Sequence, residues 1–198
     1  FVYYIKSSSD KGHVNAIADY GVLLFLGNGV MVDKESAVKY IKIAANFGDT
    51  YAMHIYGNIL SKGEGTPVNK EEALKYFKIA AENGYTDSMV NCAYMLKRGI
   101  GCSENKKEAF KYFKMAADKR EFDAIRNCAT MLYEGDGIPV NKKEAFKYFI
   151  ELADSGECDS MYKCVTMLYD GDGIPINKKE AFKYLEKMVD NGYTSEII

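Results

Sequence analysis

Side chains able to bind a metal or move protons are few in this sequence, and their spacing suits neither task. His13 and His54 are the two histidines; neither has a Cys, His or Asp companion in a metal-ligand pattern, and no Cys-x-x-Cys occurs. The run Asp170-Gly171-Asp172-Gly173-Ile174 opens like a calcium loop. Its fifth position is Ile174 and its twelfth is Ala181, where an EF-hand needs an oxygen ligand and a bidentate Glu, so the run reads as a helix-ending turn. Gly135-Asp136-Gly137 lacks the third glycine and preceding strand of a dinucleotide fingerprint, and there is no Gly-x-Ser-x-Gly elbow. The acidic residues recur as helix caps rather than as isolated pairs. We therefore expect no catalytic residue, no metal and no cofactor.

The five cysteines leave at least one unpaired. Cys92, Cys128 and Cys164 are 36 residues apart, so they occupy equivalent sites on stacked units roughly 8–10 Å apart. A disulfide needs Cα atoms within about 7 Å, so these three read as small buried hydrophobes in a reducing compartment. No asparagine begins an N-x-[ST] sequon, and the expected location is intracellular, in the cytoplasm. With 26 basic and 28 acidic side chains, the formal charge of -2 gives no electrostatic case for nucleic acid or an anionic membrane. No run of about 18 apolar residues is present to insert into a bilayer.

What must position any functional side chain is a tandem array. An alanine falls at Ala37, Ala73, Ala109, Ala145 and Ala181, and a tyrosine at Tyr40, Tyr76, Tyr112, Tyr148 and Tyr184. A Gly-x-Gly recurs at Gly27/Gly29, Gly63/Gly65, Gly99/Gly101, Gly135/Gly137 and Gly171/Gly173, and every series steps by 36 residues. Such a period marks a solenoid or array. Five repeats follow, 13–48, 49–84, 85–120, 121–156 and 157–192, with the end of a truncated repeat at 1–12 and the start of another at 193–198. We expect a single repeat domain over 1–198. It opens on Phe1 rather than Met, and its end falls within a helix pattern, so a longer protein is expected.

Each repeat carries two helical patterns. In the fourth, a rotation of about 100° per residue places Ala124, Ile125, Cys128, Ala129, Met131 and Leu132 on one apolar arc. Gly135 and Gly137 end this first helix through the positive φ that glycine adopts cheaply. Asn141, three before Glu144, opens the second helix as a capping box, repeated at Asn69/Glu72, Asn105/Glu108 and Asn177/Glu180, with Asp33/Ser36 as a weaker version. Ala145, Phe146, Tyr148, Phe149, Leu152 and Ala153 then give the second apolar stripe. Arg120 stands where Gly48, Gly84, Gly156 and Gly192 make the turn between repeats, so that turn is expected to be altered. Lys39, Lys75, Lys111, Lys147 and Lys183 form a column on the second helices. Glutamates three residues earlier balance it from Lys75 onward, which makes it mostly a solvated face.

The register Ala124-x3-Cys128-Ala129-x-Met131-Leu132-x2-Gly135-x-Gly137-Ile138, followed by Ala145-x2-Tyr148-Phe149-x2-Leu152-Ala153-x2-Gly156, resembles the Sel1-like repeat family, relatives of the tetratricopeptide repeats. The resemblance covers the whole chain. It implies an all-α fold, a right-handed α/α solenoid of helix-turn-helix repeats, with first helices lining a concave side. It also implies an adaptor that holds partner proteins.

On those first helices the side chains that do not repeat are the candidates for contact: His54, Asn58, Asn91, Tyr94, Arg98, Arg126, Thr130, Tyr133, Tyr162, Thr166 and Tyr169. Core positions repeat because packing repeats, whereas this arc varies because nothing in the stack dictates it; ordinary surface variation is the competing reading. Tyr, Arg, His and Asn supply hot-spot contacts and adaptable hydrogen bonds. Phe25 and Leu26 belong either to the contact surface or under a preceding unit. The expected function is a non-enzymatic scaffold binding a peptide or helix of a protein partner. The alternative is a structural subunit of a large assembly using its edges and convex face. An RNA-binding array of similar period would need a basic inner face, and this arc is mixed.

Overall fold

The computed structural model describes residues 2–193, so most of the opening expected at 193–198 lies outside the described residues. Among the described residues there are eleven α-helices and no strand. They fall into two compact units, residues 1–105 and 106–198, and the boundary lies inside the third repeat, at the cap of its second helix. The first unit holds α1 (Val2–Asp10), α2 (Val14–Leu26), α3 (Lys34–Asn46), α4 (Thr50–Lys62), α5 (Lys70–Glu82) and α6 (Thr86–Arg98). The second holds α7 (Lys106–Ala117), α8 (Phe122–Glu134), α9 (Lys142–Asp154), α10 (Cys158–Asp170) and α11 (Lys178–Asp190). Within each unit every helix packs on the next in the chain, the arrangement of an α/α solenoid.

The arc read from the fourth repeat is the buried one: Ala124, Ile125, Cys128, Ala129 and Met131 have no exposure and Leu132 has 4%. Its counterpart in the third repeat, from Ser88 to Leu96, is buried as well. In the first repeat Ala16 and Leu23 are only half-buried, unlike Ile17, Tyr20, Gly21 and Leu24. Close helix contact explains the small residue of the first helix: a Cβ on Gly57 would lie 2.7 Å from the Phe77 ring.

Two second helices, α5 and α9, begin with a variant of the expected capping box. Asn141 Oδ1 accepts from the Glu144 N–H at 3.1 Å, but the Glu144 carboxylate accepts from the Asn141 side-chain amide at 2.9 Å rather than from its backbone. The backbone N–H is committed elsewhere. It donates to Leu132 O in the preceding helix at 2.8 Å, and Asn69, Asn105 and Asn177 donate likewise to Leu60, Leu96 and Leu168 at 2.8 Å. Each bond satisfies a carbonyl that a helix end would leave unpaired, and it ties the first helix to the second.

The two glycines of Gly-x-Gly have different tasks. The first is a left-handed C-cap, as at Gly135 with φ 76°. The second also has positive φ and lies against the preceding repeat: a Cβ on Gly137 would stand 2.2 Å from Lys106 Cβ, and one on Gly101 2.4 Å from Lys70 O.

Arg120 alters the turn, but only slightly: α7 ends one residue earlier than the other second helices, and the Lys119 N–H bonds Ala116 O rather than Met115 O. The arginine takes the left-handed conformation itself, φ 63°, where Gly48, Gly84 and Gly156 have φ 94°, 91° and 99°. The Glu121 N–H still reaches Ala116 O, as the Asp49 N–H reaches Ala44 O. Packing on both sides of the turn outweighs a local cost of roughly 1–2 kcal/mol.

Candidate functional site

In the first unit the candidate side chains come from α4 and α6. His54 is buried, with 7% exposure, so it supports the surface from below instead of forming it. Its ring lies 4.7 Å from Tyr85 and 5.8 Å from Phe77, centroid to centroid. The Asn58 amide donates to His54 Nε2 at 2.9 Å, which leaves the proton on Nδ1 to be donated to Ser88 Oγ at 2.8 Å. Burial holds the His54 pKa below the usual imidazole value, against a weaker opposing pull from Asp87, and favours this neutral form. Asn91 extends the chain by donating to Asn58 Oδ1 at 3.4 Å. Tyr94 is half-buried with the exposed Arg98 guanidinium 5.6 Å from its ring centroid. Nearby, α2 and α4 flank an apolar cleft of about 220 Å³ lined by Val22, Phe25, Leu26, Tyr51 and Ile55, with Asn58 at its edge.

In the second unit α8 and α10 flank two adjoining clefts that share Tyr133 and Lys163 as walls. One, of about 270 Å³, is lined by Arg126, Thr130 and Tyr133 from α8 and by Glu157, Asp159, Ser160 and Lys163. The other is lined by Tyr133, Tyr162, Lys163, Thr166, Asp170 and Asp172. Arg126 is clamped: its guanidinium donates to Glu157 at 2.6 Å and to Asp123 at 2.7 Å. Tyr133 is half-buried and meets Phe149 edge to face, with centroids 6.1 Å apart. Its hydroxyl donates to Asp172, which also accepts from Lys142, while Lys163 Nζ lies 3.7 Å from its ring centroid. Lys142 and then Tyr133 hold the Asp172 carboxyl below its ordinary range, and the bond to Asp172 raises the Tyr133 phenol. Tyr162 and Tyr169 stand 50% and 46% exposed on α10. The Thr130 and Thr166 hydroxyls bond back to Arg126 O and Lys163 O, both at 3.0 Å.

A family model described as the Sel1 repeat matches residues 14–49, 50–85, 86–120, 122–157 and 159–193. The chain belongs to the Sel1 repeat family. Among solved structures it is similar to c5321, a protective antigen of uropathogenic Escherichia coli strains displaying an SLR fold, with TM-score 0.87 and 25% identity over 96% of this chain and 41% of that one. It is also similar to a Sel1 repeat protein from Oxalobacter formigenes, with TM-score 0.82 and 25% identity over 96% of this chain and 78% of that one. This chain thus spans less than half the length of the first. None of the curated proteins matches it in sequence. Sel1 repeats generally serve as protein-interaction scaffolds, and the fold is typically a non-enzymatic module.

Two features of this Sel1 array escaped the sequence reading. The ion pairs from one repeat to the next, Lys34–Glu64 at 2.9 Å, Lys106–Asp136 at 2.7 Å and Lys142–Asp172, join the first residue of a second helix to the middle residue of the following Gly-x-Gly. Their constant offset of 30 residues was the available signal, hidden because it does not match the 36-residue period. The clamp on Arg126 carries no repeating signal at all. Among the described residues no group of His, Cys, Asp and Glu could hold a metal ion, and no helix is long and apolar enough to cross a membrane.

Proposed function

We propose that this Sel1 array is a non-enzymatic scaffold that holds a segment of a protein partner on the exposed faces of its first helices, α8 and α10 foremost. One observation carries the reading. On α8 and α10 the inward arc is sealed, while the outward side chains, which differ from repeat to repeat, line adjoining clefts beside half-exposed tyrosines. Aromatic rings that keep a polar end in water give large contact area at low entropic cost, as interaction hot spots do. Asn58, Asn91, Tyr94 and Arg98 offer a second, more polar contact surface in the first unit, braced by buried His54.

The test is a photo-crosslinking amino acid placed at Tyr162, at Tyr169 or at Lys147 of the second-helix column, in the intact protein inside cells. The expected result is partner adducts from the first two positions and none from the third. Adducts from Lys147 alone would favour the structural-subunit reading instead. Tyr162→Ala should lower partner recovery at least about tenfold with an unchanged melting temperature, since the ring is half exposed. Tyr133→Ala is a poorer probe, because removing a ring packed on Phe149 also costs stability.

A further inference from the structure

The whole chain is close to neutral, yet the clefts of the second unit are not. Five carboxylates line them, Glu134, Glu157, Asp159, Asp170 and Asp172, against two cations, Arg126 and Lys163. Both cations are engaged, Arg126 between Glu157 and Asp123 and Lys163 over the Tyr133 ring. The side chains of Asp159 and Asp170, by contrast, are exposed and make no ion pair or hydrogen bond among the described residues. The apolar cleft of the first unit shows no such bias, with Lys62 balanced by Glu64.

Position adds a second, independent observation. At about 100° per residue, Asp159, Tyr162, Thr166, Tyr169 and Asp170 share an arc of roughly 100° on α10, with the two rings about 10 Å apart along the axis. The rings of this surface already attract cations from within the molecule. Lys163 and Lys142 lie 3.7 and 4.9 Å from the Tyr133 centroid, and Lys178 lies 4.5 Å from that of Tyr169. Tyr162, the most exposed of the three, has no lysine over it. Carboxylates beside open aromatic faces form a surface that favours ammonium and guanidinium groups over anions.

We infer that the partner segment held by the second unit is basic, with Lys or Arg side chains seated over Tyr162 and beside Asp159 and Asp170. This rests on the scaffold reading above and adds the chemistry of the segment. Charge complementarity sets the choice of occupant: with Glu157 paired to Arg126 and Asp172 to Lys142, an acidic segment would still meet Glu134, Asp159 and Asp170, which have no ion pair among the described residues.

The experiment selects a random peptide library against the intact chain and measures each recovered peptide by fluorescence anisotropy on four proteins. These are the wild type, Tyr162→Ala, the charge reversal Asp159→Lys/Asp170→Lys, and the milder Asp159→Asn/Asp170→Asn, which keeps the test usable should the reversal fold poorly. The expected peptides are rich in Lys and Arg. They should bind at least about tenfold more weakly to the reversal variant, a loss of about 1.4 kcal/mol. They should bind several-fold more weakly to the neutral one, and weaken as salt rises from about 0.05 to about 0.5 M. Peptides lost with Tyr162→Ala but neutral or acidic, or indifferent to the charge changes, would overturn the basic segment and leave the scaffold surface standing. Peptides indifferent to all three variants would overturn both.

Discussion

Arg120 shows at the scale of one residue how a local preference yields to its surroundings. Its φ of 63° is the sole positive φ of a non-glycine residue among the described residues, and it lies in a turn that keeps the Glu121-to-Ala116 bond of the glycine turns, although the Lys119 N–H bonds Ala116 O in place of Met115 O. Replacing it with glycine removes a left-handed penalty of roughly 1–2 kcal/mol and returns roughly 0.5–1 kcal/mol of chain entropy. Arg120→Gly should therefore stabilise the protein by about 0.5–1 kcal/mol, seen as a rise of about 1–4 °C in thermal unfolding followed by circular dichroism. A lower melting temperature would mean that the arginine side chain contributes more than its backbone costs. His54 makes a related point. Its type and place on the outward arc suggested a contact residue, but its ring is enclosed and serves to orient Asn58.

At the scale of the helix, the starts of α3, α5, α9 and α11 carry two devices, a side-chain cap and a backbone bond to the preceding helix. Asn141→Ala removes the first and keeps the second, since the alanine N–H can still donate to Leu132 O. The expected loss is about 1 kcal/mol, measured as a lower urea midpoint at unchanged slope. No loss would show that the bond between helices alone sets the start of α9. The caps were legible because they depend on residues three apart. The bond between the helices was not, because its acceptor is a carbonyl that every residue possesses, and only the folded hairpin selects Leu132.

For the molecule as a whole, the cysteines report how the two units open. Cys92, Cys128 and Cys164 have no exposure, whereas Cys102 and Cys158 are half-buried, and none of the five is in a disulfide. Burial pushes the Cys128 and Cys164 thiols up to about 12, which suppresses the reactive thiolate. A thiol reagent should thus label Cys102 and Cys158 in the native protein, and reach the three buried cysteines only as fast as the surrounding helices open. Fast labelling of Cys128 in the absence of denaturant would mean that the second unit opens locally at little cost.

The sequence by itself determined the helices, their caps, the buried arcs and the family, because those features are set by spacing along the chain and recur every 36 residues. It also marked the outward arc as the place where side chains vary. Tertiary structure alone decided that His54 lies inside, that Arg126 is already held by Asp123 and Glu157, and that Lys163 covers Tyr133 while Tyr162 stays open. Those outcomes depend on which residues of neighbouring repeats face one another across a helix pair. The distances that set them are a few ångströms in space and some 30 residues along the chain, as for Arg126 and Glu157.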